Sequence, residues 1–248
     1  MDVIISGYYG RMGNVLVDSI ADDPELNLVM GFDIEEDLSE GTPVCKLPDV
    51  KDIKADVVVD FSHFSAIPAL MEYCIKTQTP VVVCTTALGD EEKAIMRKAS
   101  ETIPVFNSSN MSLGINLLAK MAQLAMPAVE PNFNVEIIEK HHNKKKDSPS
   151  GTAILLADAI NEACEVKKDY LYGRHGKADE PKITDLGIHA IRGGTIPGEH
   201  TIVFAGPDEV IEITHTVYSR KVFATGALAA AKFLAGKAPG MYSMNDML

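Results

Sequence analysis

A glycine-rich turn close to the first residue is the feature that most constrains the fold. A short apolar run, residues 3–6, leads into Gly7-Tyr8-Tyr9-Gly10-Arg11-Met12-Gly13, and an apolar-periodic stretch follows through Ile20. This order predicts a strand, a tight turn and a helix. Glycines in such a turn let the backbone approach a pyrophosphate, and the helix N-terminus that follows attracts negative charge. The segment therefore predicts a dinucleotide site, with an ordinary structural turn as the alternative.

An acidic residue after the second predicted strand favours the dinucleotide interpretation. Asp33 follows the apolar run 28–32 and stands 33 − 13 = 20 residues after Gly13, where an acid suits the ribose hydroxyls of NAD. Residues 35–37 are also acidic, and this loop contributes no lysine or arginine to pair with a 2′-phosphate. We therefore expect NADH to be preferred, with NADPH also accepted because Arg11 in the turn is a nearby cation.

The order of apolar runs predicts the fold class. Strands at 3–6, 28–32, 56–61, 80–84 and 104–106 alternate with helical patterns, which predicts a parallel, doubly wound sheet. The pattern changes near Asn107, and the predicted elements are then helices at 111–126, 152–164 and 222–234, a strand at 134–142, and a hairpin at Gly206-Pro207-Asp208-Glu209. The predicted fold class is α/β: a Rossmann-like dinucleotide-binding domain with a parallel sheet, followed by an α+β domain. The pattern alone assigns the helix at 222–234 to neither half.

Charge and cysteine content narrow the function classes. Lys and Arg number 23 and Asp and Glu number 35, so the formal charge is 23 − 35 = −12, which disfavours binding to a phosphate backbone. The four cysteines form no C-x-x-C pair and are typical of reduced, buried thiols. No apolar run reaches the length of a membrane span. We expect a cytoplasmic protein that binds neither nucleic acid nor a membrane.

The stretch from Glu139 to Thr152 is the most informative part of the second half. Two histidines and three lysines stand within the six residues 141–146, and Ser150-Gly151-Thr152 then opens a predicted helix. A helix N-terminus beside such a cluster is a good receptor for a small carboxylate. Lysine can donate a proton, and histidine can act as acid or base near neutral pH. A solvated run of charges is the alternative interpretation.

A metal site at the paired histidines is disfavoured. Adjacent residues on a strand point to opposite faces, so His141 and His142 would not readily chelate one ion. The sequence contains no H-E-x-x-H motif and no set of cysteines and histidines at the spacing of zinc ligands. We therefore expect no metal.

Several motifs occur in one order and resemble those of the dihydrodipicolinate reductase family, which acts in bacterial lysine and diaminopimelate synthesis. They are Gly7-x-x-Gly10-Arg11-Met12-Gly13, Asp60-Phe61-Ser62, Thr85-Thr86, Asn110-x-Ser112-x-Gly114-x-Asn116 and the segment from His141 to Thr152. The pattern E-x-H-H-x-x-K-x-D-x-P-S-G-T is highly specific to that family. The resemblance covers nearly the whole chain.

The resemblance implies an activity and an architecture. The enzyme would reduce a cyclic unsaturated imine dicarboxylate to tetrahydrodipicolinate with NADH or NADPH. The C-terminal helix would complete the first domain, so that residues 1–107 and 221–248 bind the cofactor and residues 108–220 form a substrate-binding and oligomerisation domain. A homotetramer built through the sheet of the second domain is also implied.

The resemblance assigns site residues by matching positions. His141 matches the family's catalytic proton donor or acceptor and Lys145 its proton donor. Substrate-binding positions are matched by His142, Gly151 and Thr152. The matched cofactor contacts are Gly7, Tyr8, Tyr9, Gly10, Arg11, Met12, Asp33, Cys84, Thr85, Thr86, Ser108, Ser109, Asn110 and Met111.

The sequence departs from the family pattern at one turn, and it leaves two alternative functions open. The family's G-T-T-G turn is Cys84-Thr85-Thr86-Ala87 here, so small residues replace both glycines next to the expected nicotinamide site. One alternative is a semialdehyde-type dehydrogenase with Cys84 as nucleophile, which leaves the His-His-x-x-Lys segment unexplained. The other is a non-catalytic NAD-sensing module, which needs no dicarboxylate site.

Arg192, before Gly193-Gly194, is a weaker candidate for binding the second carboxylate of a dicarboxylate substrate, and a structural role is favoured for it.

Overall fold

The computed structural model describes residues 1–38, 41–47, 53–130, 132–177 and 180–248, which form two compact units. The first combines Met1–Leu113 with Arg220–Leu248, and the second is Gly114–Ser219. The first unit extends past residue 107, where the sequence placed the boundary, because Met111 is buried in its apolar core. The chain returns to the first unit at Arg220, next to the expected position 221.

Strands and helices alternate along the first unit, and strands prevail towards the end of the second. The strands in chain order are β1 (Asp2–Ser6), β2 (Asn27–Phe32), β3 (Val44–Cys45), β4 (Val57–Asp60), β5 (Val81–Val83), β6 (Pro104–Asn107), β7 (Asn134–His141), β8 (Asp169–Leu171), β9 (Asp185–Arg192), β10 (Glu199–Gly206), β11 (Glu209–Thr216) and β12 (Gly240–Tyr242). The helices are α1 (Arg11–Ala21), α2 (Ile67–Thr77), α3 (Asp90–Ala99), α4 (Leu113–Val129), α5 (Gly151–Ala163), α6 (Lys221–Leu234) and α7 (Met244–Met247). Within the described ranges, none of these helices has the length and apolarity needed to cross a membrane.

The predicted parallel, doubly wound sheet of the first unit is confirmed. Among its described residues, seven parallel strands follow the order β12-β6-β5-β4-β1-β2-β3. Val58 and Val59 of β4 are fully buried because apolar clusters cover both faces of the sheet. The chain order reverses at β1, which lies between β2 and β4. The carboxyl ends of these strands therefore flank the crevice where open α/β sheets bind ligands.

The C-terminal segment completes the first unit. Helix α6 contributes Ala224, Ala227 and Leu234 to the cluster that covers one face of the sheet. Strand β12 then pairs in parallel with β6, with Met241 opposite Val105. The three residues of β12 were not predicted, because a strand so short gives no periodic signal.

The second unit is built on a mixed sheet. In its described part, five strands follow the order β11-β10-β7-β9-β8, and β7 is antiparallel to β10 and parallel to β9. Val135 and Ile137 of β7 pack in the apolar cluster with residues of α4 and α5. Glu139 lies on the same face by the two-residue period of a strand, and it is completely buried. A charged residue in that position is rare unless it is paired.

The predicted hairpin in this sheet is confirmed. β10 and β11 pair around a turn in which Asp208 has a φ of 61°. On the edge strand β11, Ile213 packs against the core, whereas Ile211 is 42% exposed. A Cβ on Gly114 would lie 2.4 Å from Nε2 of His215, which explains the glycine in the first turn of α4.

Candidate active site

The glycine turn of the first unit has the geometry that a dinucleotide site requires. Gly7 has a φ of 82°, and its N–H donates to the Phe32 carbonyl oxygen at 2.9 Å, which fastens the turn to the end of β2. A Cβ on Gly13 would lie 2.2 Å from the Tyr8 carbonyl oxygen, so any side chain there would displace the turn. Gly10 precedes α1, whose first N–H groups have no acceptor within the helix. The turn thus offers close backbone approach and a helix N-terminus together.

Asp33 follows β2, as predicted, and its carboxylate is tied to the glycine turn. Its Oδ2 accepts from the Tyr9 N–H at 2.8 Å, and its Oδ1 accepts from the Ile34 N–H at 2.7 Å. These bonds hold the carboxylate in one position beside the turn. Each oxygen keeps a further lone pair that can accept from a hydroxyl group.

A second carboxylate joins the carboxyl ends of β4 and β5. Asp60 is fully buried; its Oδ1 accepts from Ser62 Oγ and its Oδ2 from Thr85 Oγ1, both at 2.6 Å. Burial raises the pKa of Asp60, and these hydroxyl groups oppose the change. The hydroxyl of Thr85, a matched cofactor contact, is therefore engaged inside the protein.

The turn after β5 contains the departure from the family pattern. Cys84 is buried and does not have a positive φ, so a side chain at this position causes no backbone strain. Ala87 has a φ of 59°, in the left-handed region that glycine adopts without a steric cost. The glycine that the family has at this second position is therefore the one that the backbone conformation favours. Thr86, between them, is exposed.

The segment 108–111 holds itself in place by local hydrogen bonds. Ser108 Oγ donates to the Asn110 carbonyl oxygen at 2.8 Å, and Asn110 Oδ1 accepts from the Ser112 N–H at 2.9 Å. Met111 is buried in the apolar core, whereas Ser109 is exposed. Only the backbone of Met111 is thus available for the cofactor contact that the resemblance assigns to it.

In the second unit, the buried carboxylate of Glu139 accepts four hydrogen bonds. Its Oε2 is 2.7 Å from Arg192 Nη1 and 2.6 Å from His141 Nδ1. Its Oε1 accepts from Arg192 Nη2 at 2.7 Å and from the Ser150 N–H at 2.9 Å. Burial alone would raise the pKa of Glu139, but the bonds from Arg192, His141 and Ser150 outweigh it and lower the pKa. Glu139 is therefore ionised at neutral pH.

His141, the last residue of β7, is oriented by this carboxylate. Because Glu139 is ionised, Nδ1 of His141 carries the proton that joins them. A Cβ on Gly198 would lie 3.3 Å from Nε2 of His141, so the glycine leaves room beside that nitrogen. Burial lowers the pKa of His141, Glu139 opposes this, and the positive charges of Lys145 and Arg192 add to the lowering. The ring can thus exchange a proton at Nε2.

Helix α5 begins beside the histidine. Ser150 is its N-cap; the Ser150 Oγ accepts from the Ala153 N–H at 3.2 Å and lies 2.9 Å from His200 Nε2. Burial lowers the pKa of His200 to about 3, so that ring is neutral. Gly151 is exposed, and a Cβ on it would meet no atom within 4 Å. The start of α5 therefore has open space beside Gly151, whose backbone bonds the Asp147 carboxylate, and a helix N-terminus is a site that favours anions.

Lys145 lies in the turn between β7 and α5. Its Nζ is 2.9 Å from Asp147 Oδ2, and its side chain is 23% exposed, whereas Lys144 and Lys146 are exposed. Its N–H donates to the His142 carbonyl oxygen at 3.1 Å. The lysine that the family resemblance matches is therefore also the least exposed of the three.

The paired histidines have different surroundings. Nδ1 of His141 bonds Glu139, whereas Nδ1 of His142 is buried and has no hydrogen-bond partner among the described residues. A buried ring nitrogen without a partner is uncommon in proteins and suits a site that binds a ligand. Among all the residues that the structure describes, no three His, Cys, Asp or Glu side chains are grouped closely enough to hold a metal ion.

Sequence reasoning missed the residues that surround His141. Glu139 stood in the informative segment without a role, and His200 was not singled out. The structural role favoured for Arg192 agrees with its paired hydrogen bonds to Glu139. The signal that could have found Glu139 is the two-residue alternation of β7, which puts it on the buried face.

The chain matches two family models over nearly its whole length. Residues 1–111 match the model for the N-terminus of dihydrodipicolinate reductase, and residues 114–248 match the model for its C-terminus. The chain is 48% identical to the 4-hydroxy-tetrahydrodipicolinate reductase of Caldanaerobacter subterraneus subsp. tengcongensis, over 99% of this chain and 97% of the relative. It is 43% identical to that of Clostridium tetani, over 99% and 96%. Its fold is similar to that of a dipicolinate-bound dihydrodipicolinate reductase from Paenisporosarcina sp. TG-14, with a TM-score of 0.81 and 23% identity over 100% and 99% of the two chains.

Proposed function

Because the protein belongs to the dihydrodipicolinate reductase family, we propose that His141, Lys145 and the N-terminus of α5 carry out that family's reaction. The protein is an oxidoreductase of lysine and diaminopimelate biosynthesis. It reduces the cyclic unsaturated imine dicarboxylate derived from 4-hydroxy-tetrahydrodipicolinate to tetrahydrodipicolinate. The observation that carries the residue assignment is His141, held on a buried carboxylate that also bonds the N-cap of α5.

The proposed mechanism gives the chain the tasks of stabilising charge and supplying protons. A reduced nicotinamide supplies the hydride to the conjugated C=C–C=N system. Negative charge then develops on carbon and nitrogen of the substrate, so a nearby cation and proton donor stabilise the transition state more than the ground state. Lys145 is the proposed proton donor. His141 exchanges a proton through Nε2, while its Nδ1 stays on Glu139.

The two substrate carboxylates need separate anion sites. We assign one to the N–H groups of Gly151 and Thr152 at the N-terminus of α5, where there is open space. We assign the other to His142, whose buried Nδ1 has no partner in the described part of the chain. We assign Arg192 a structural role instead, because both of its Nη atoms bond Glu139.

Gly151→Ala separates a binding role for this residue from a structural one. Alanine fits the open space and has a higher helix propensity than glycine, so thermal unfolding should show no loss of stability. The added methyl group would obstruct a carboxylate at the helix N-terminus. KM for the dicarboxylate should therefore rise about tenfold, equivalent to about 1.4 kcal/mol, with little change in KM for NADH. An unchanged KM for the dicarboxylate would show that it binds elsewhere.

The proposed cofactor site is the crevice at the ends of β1, β2 and β4. A Cβ on Gly7 or Gly13 would collide with the backbone carbonyl of Phe61 or of Tyr8, so these glycines allow the tight turn that would bring the backbone to a pyrophosphate at the start of α1. Asp33 is placed to accept hydrogen bonds from the hydroxyls of the adenosine ribose. The exposed Thr86 and Ser109 are further proposed contacts, together with the backbone beside them.

NADH should be used at least as well as NADPH. The 2′-phosphate of NADPH would lie beside Asp33 and the acidic residues 35–37, and each like-charge contact near a surface costs up to about 4 kcal/mol before screening. Because the penalty is electrostatic, the difference in kcat/KM between NADH and NADPH should become smaller as the salt concentration is raised. Measuring kcat/KM for both cofactors at low and high ionic strength tests both expectations.

A clear preference for NADPH at low salt would contradict this prediction and would require a cation near Asp33. Arg11 is exposed at the start of α1. Lys46 follows Cys45, whose carbonyl oxygen accepts from the Asp33 N–H at 3.1 Å. Arg11→Ala and Lys46→Ala would then identify the cation. Lys54, which is exposed, and Lys51, which lies outside the described residues, are the other candidates for this cation.

The two alternative functions lose support. Cys84 is 5% exposed, and burial raises its pKa well above the ordinary value, so it lacks the thiolate character of a nucleophile. A sensing module would have no use for a histidine positioned beside an anion site. Consumption of NADH on addition of freshly made pathway substrate tests the reductase activity. Retained activity after treatment with iodoacetamide tests the exclusion of the cysteine mechanism.

We also propose the homotetramer that the resemblance implies, assembled through the sheet face opposite α4 and α5. On that face Thr201 and Thr214 share a hydrogen bond at 2.9 Å, Lys140 pairs with Glu199, and Ile138 lies beside Thr201 in the register. Polar groups that are already paired cost less to cover with another subunit than unpaired ones. Light scattering measures the mass of the assembly. The proposed location is the cytoplasm.

A further inference from the structure

The carboxylate of Glu139 is shared between two partners. Arg192 donates to both of its oxygens at 2.7 Å, and His141 donates to Oε2 from Nδ1 at 2.6 Å. A guanidinium that binds a carboxylate with two parallel bonds is fixed in orientation, and arginine stays protonated in proteins. Glu139 therefore offers His141 a hydrogen-bond acceptor whose negative charge is already balanced.

We infer that Glu139 and Arg192 form a positioning pair for His141, in which Glu139 fixes the tautomer and Arg192 limits how strongly Glu139 holds the imidazolium. The inference rests on the proposed role of His141 in proton transfer. A carboxylate alone beside a histidine favours the charged ring and makes it a weaker proton donor. With the guanidinium on the same carboxylate, His141 keeps its Nδ1 proton and can gain and lose the one on Nε2.

Charged and titratable groups face His141 from each neighbouring element. Glu139 lies on the same strand, Arg192 ends β9, and Lys145 lies in the turn that follows β7. His200 of β10 has its ring centre 5.1 Å away but is neutral near pH 7. Burial lowers the pKa of His141, Glu139 raises it, and Lys145 and Arg192 lower it. The two members of the positioning pair therefore act in opposite directions.

The same carboxylate also connects the histidine to the proposed anion site. Oε1 of Glu139 accepts from the N–H of Ser150, the N-cap of α5, at 2.9 Å. Arg192 Nη2 donates to the Asp147 carbonyl oxygen at 2.6 Å, within the loop that carries Lys145. The pair thus fixes His141, the start of α5 and the lysine loop relative to one another.

Opposite shifts in the pKa of His141 test the inference. Glu139→Gln leaves the positive charge of Arg192 alone, so the pKa of His141 should fall by about one unit or more. Arg192→Met leaves the carboxylate alone, so the pKa should rise by a similar amount. In the double variant both charges are gone, and the value should return towards that of the wild type. The values are read by NMR from protein with ¹³Cε1-labelled histidine, and His141→Gln identifies the signal among the seven histidines.

A matched control lies on the opposite face of β7. Glu136 has its Oε2 2.6 Å from His189 Nε2, and its Oε1 accepts from Arg174 Nη2 at 2.8 Å. Glu136→Gln therefore removes the same kind of contact from the same strand, and it should leave the pKa of His141 unchanged. Circular dichroism and thermal unfolding of each variant check that the fold is retained. If one single variant fails to fold, the pKa of His141 in the other single variant and in the double variant still tests the inference, because the sign of each shift is predicted.

The kinetics separate this inference from the proposed role of His141. If His141 transfers the proton, the alkaline limb of the kcat profile should move to higher pH in Arg192→Met and to lower pH in Glu139→Gln, by the shift seen in NMR. Shifts of the same sign, or none in either variant, would overturn the inference. Opposite NMR shifts with a stationary kinetic limb would support the positioning pair and contradict the role proposed for His141.

Discussion

Lys145→Ala is expected to lower kcat by about two orders of magnitude or more, the usual loss when a general acid is removed. Lys145 is the least exposed lysine of its cluster, and its Nζ is 2.9 Å from Asp147 Oδ2. Removing it takes away a positive charge and a proton donor together. KM for NADH should hardly change, because the proposed cofactor site at the glycine turn and Asp33 does not include this residue. Steady-state kinetics with both substrates varied give the two constants.

Lys144→Ala and Lys146→Ala are the matched controls. Both lysines are exposed neighbours in the same turn, so either substitution removes the same charge from the loop. Both variants should keep turnover close to that of the wild type. Near-normal turnover in Lys145→Ala, with an inactive variant at 144 or 146, would show that the wrong lysine was assigned.

His141→Gln is expected to lower kcat by about 10² to 10⁴, with a smaller effect on KM. Glutamine can still donate a hydrogen bond to Glu139, but it cannot gain and lose a proton near neutral pH. The buried carboxylate therefore keeps its partners, and the fold should be retained. Kinetics over a range of pH, with thermal unfolding of the same preparation, measure the chemical loss apart from any structural one.

His142→Gln is the companion variant and should raise KM for the dicarboxylate more than it lowers kcat. Nδ1 of His142 has no hydrogen-bond partner in the described part of the chain, which suits a ligand contact and not a proton relay through Glu139. Superimposable effects of the two substitutions on both constants would contradict this division between the histidines.

The parallel sheet and the glycine turn were predictable because local sequence encodes them. The uninterrupted apolar run of β4 requires burial on both faces, and no side chain fits at Gly13. The spacing from Gly13 to Asp33 gave the acidic position that follows β2. The roles of His141 and Lys145 came from the family resemblance and stay predictions.

The surroundings of His141 could not be predicted, because they depend on the pairing of distant strands. Glu139 and Arg192 are 53 residues apart, and parallel pairing of β7 with β9 places Arg192 opposite His141. No local pattern specifies which strand becomes the neighbour of β7. The buried Ser150–His200 contact depends in the same way on β10.

The first unit is assembled from both ends of the chain, and this sets the order in which a ribosome can complete it. Gly114–Ser219 is translated in full before α6 and β12 exist. Until α6 emerges, the apolar cluster that it completes, which includes Val59, Val82 and Phe106, lacks the side chains that α6 contributes. During the same interval β6 is a bare edge that a second nascent chain can pair with. Vectorial synthesis therefore makes the continuous second unit available for folding first, and we expect a chain that stops before α6 to aggregate as well as to lose activity.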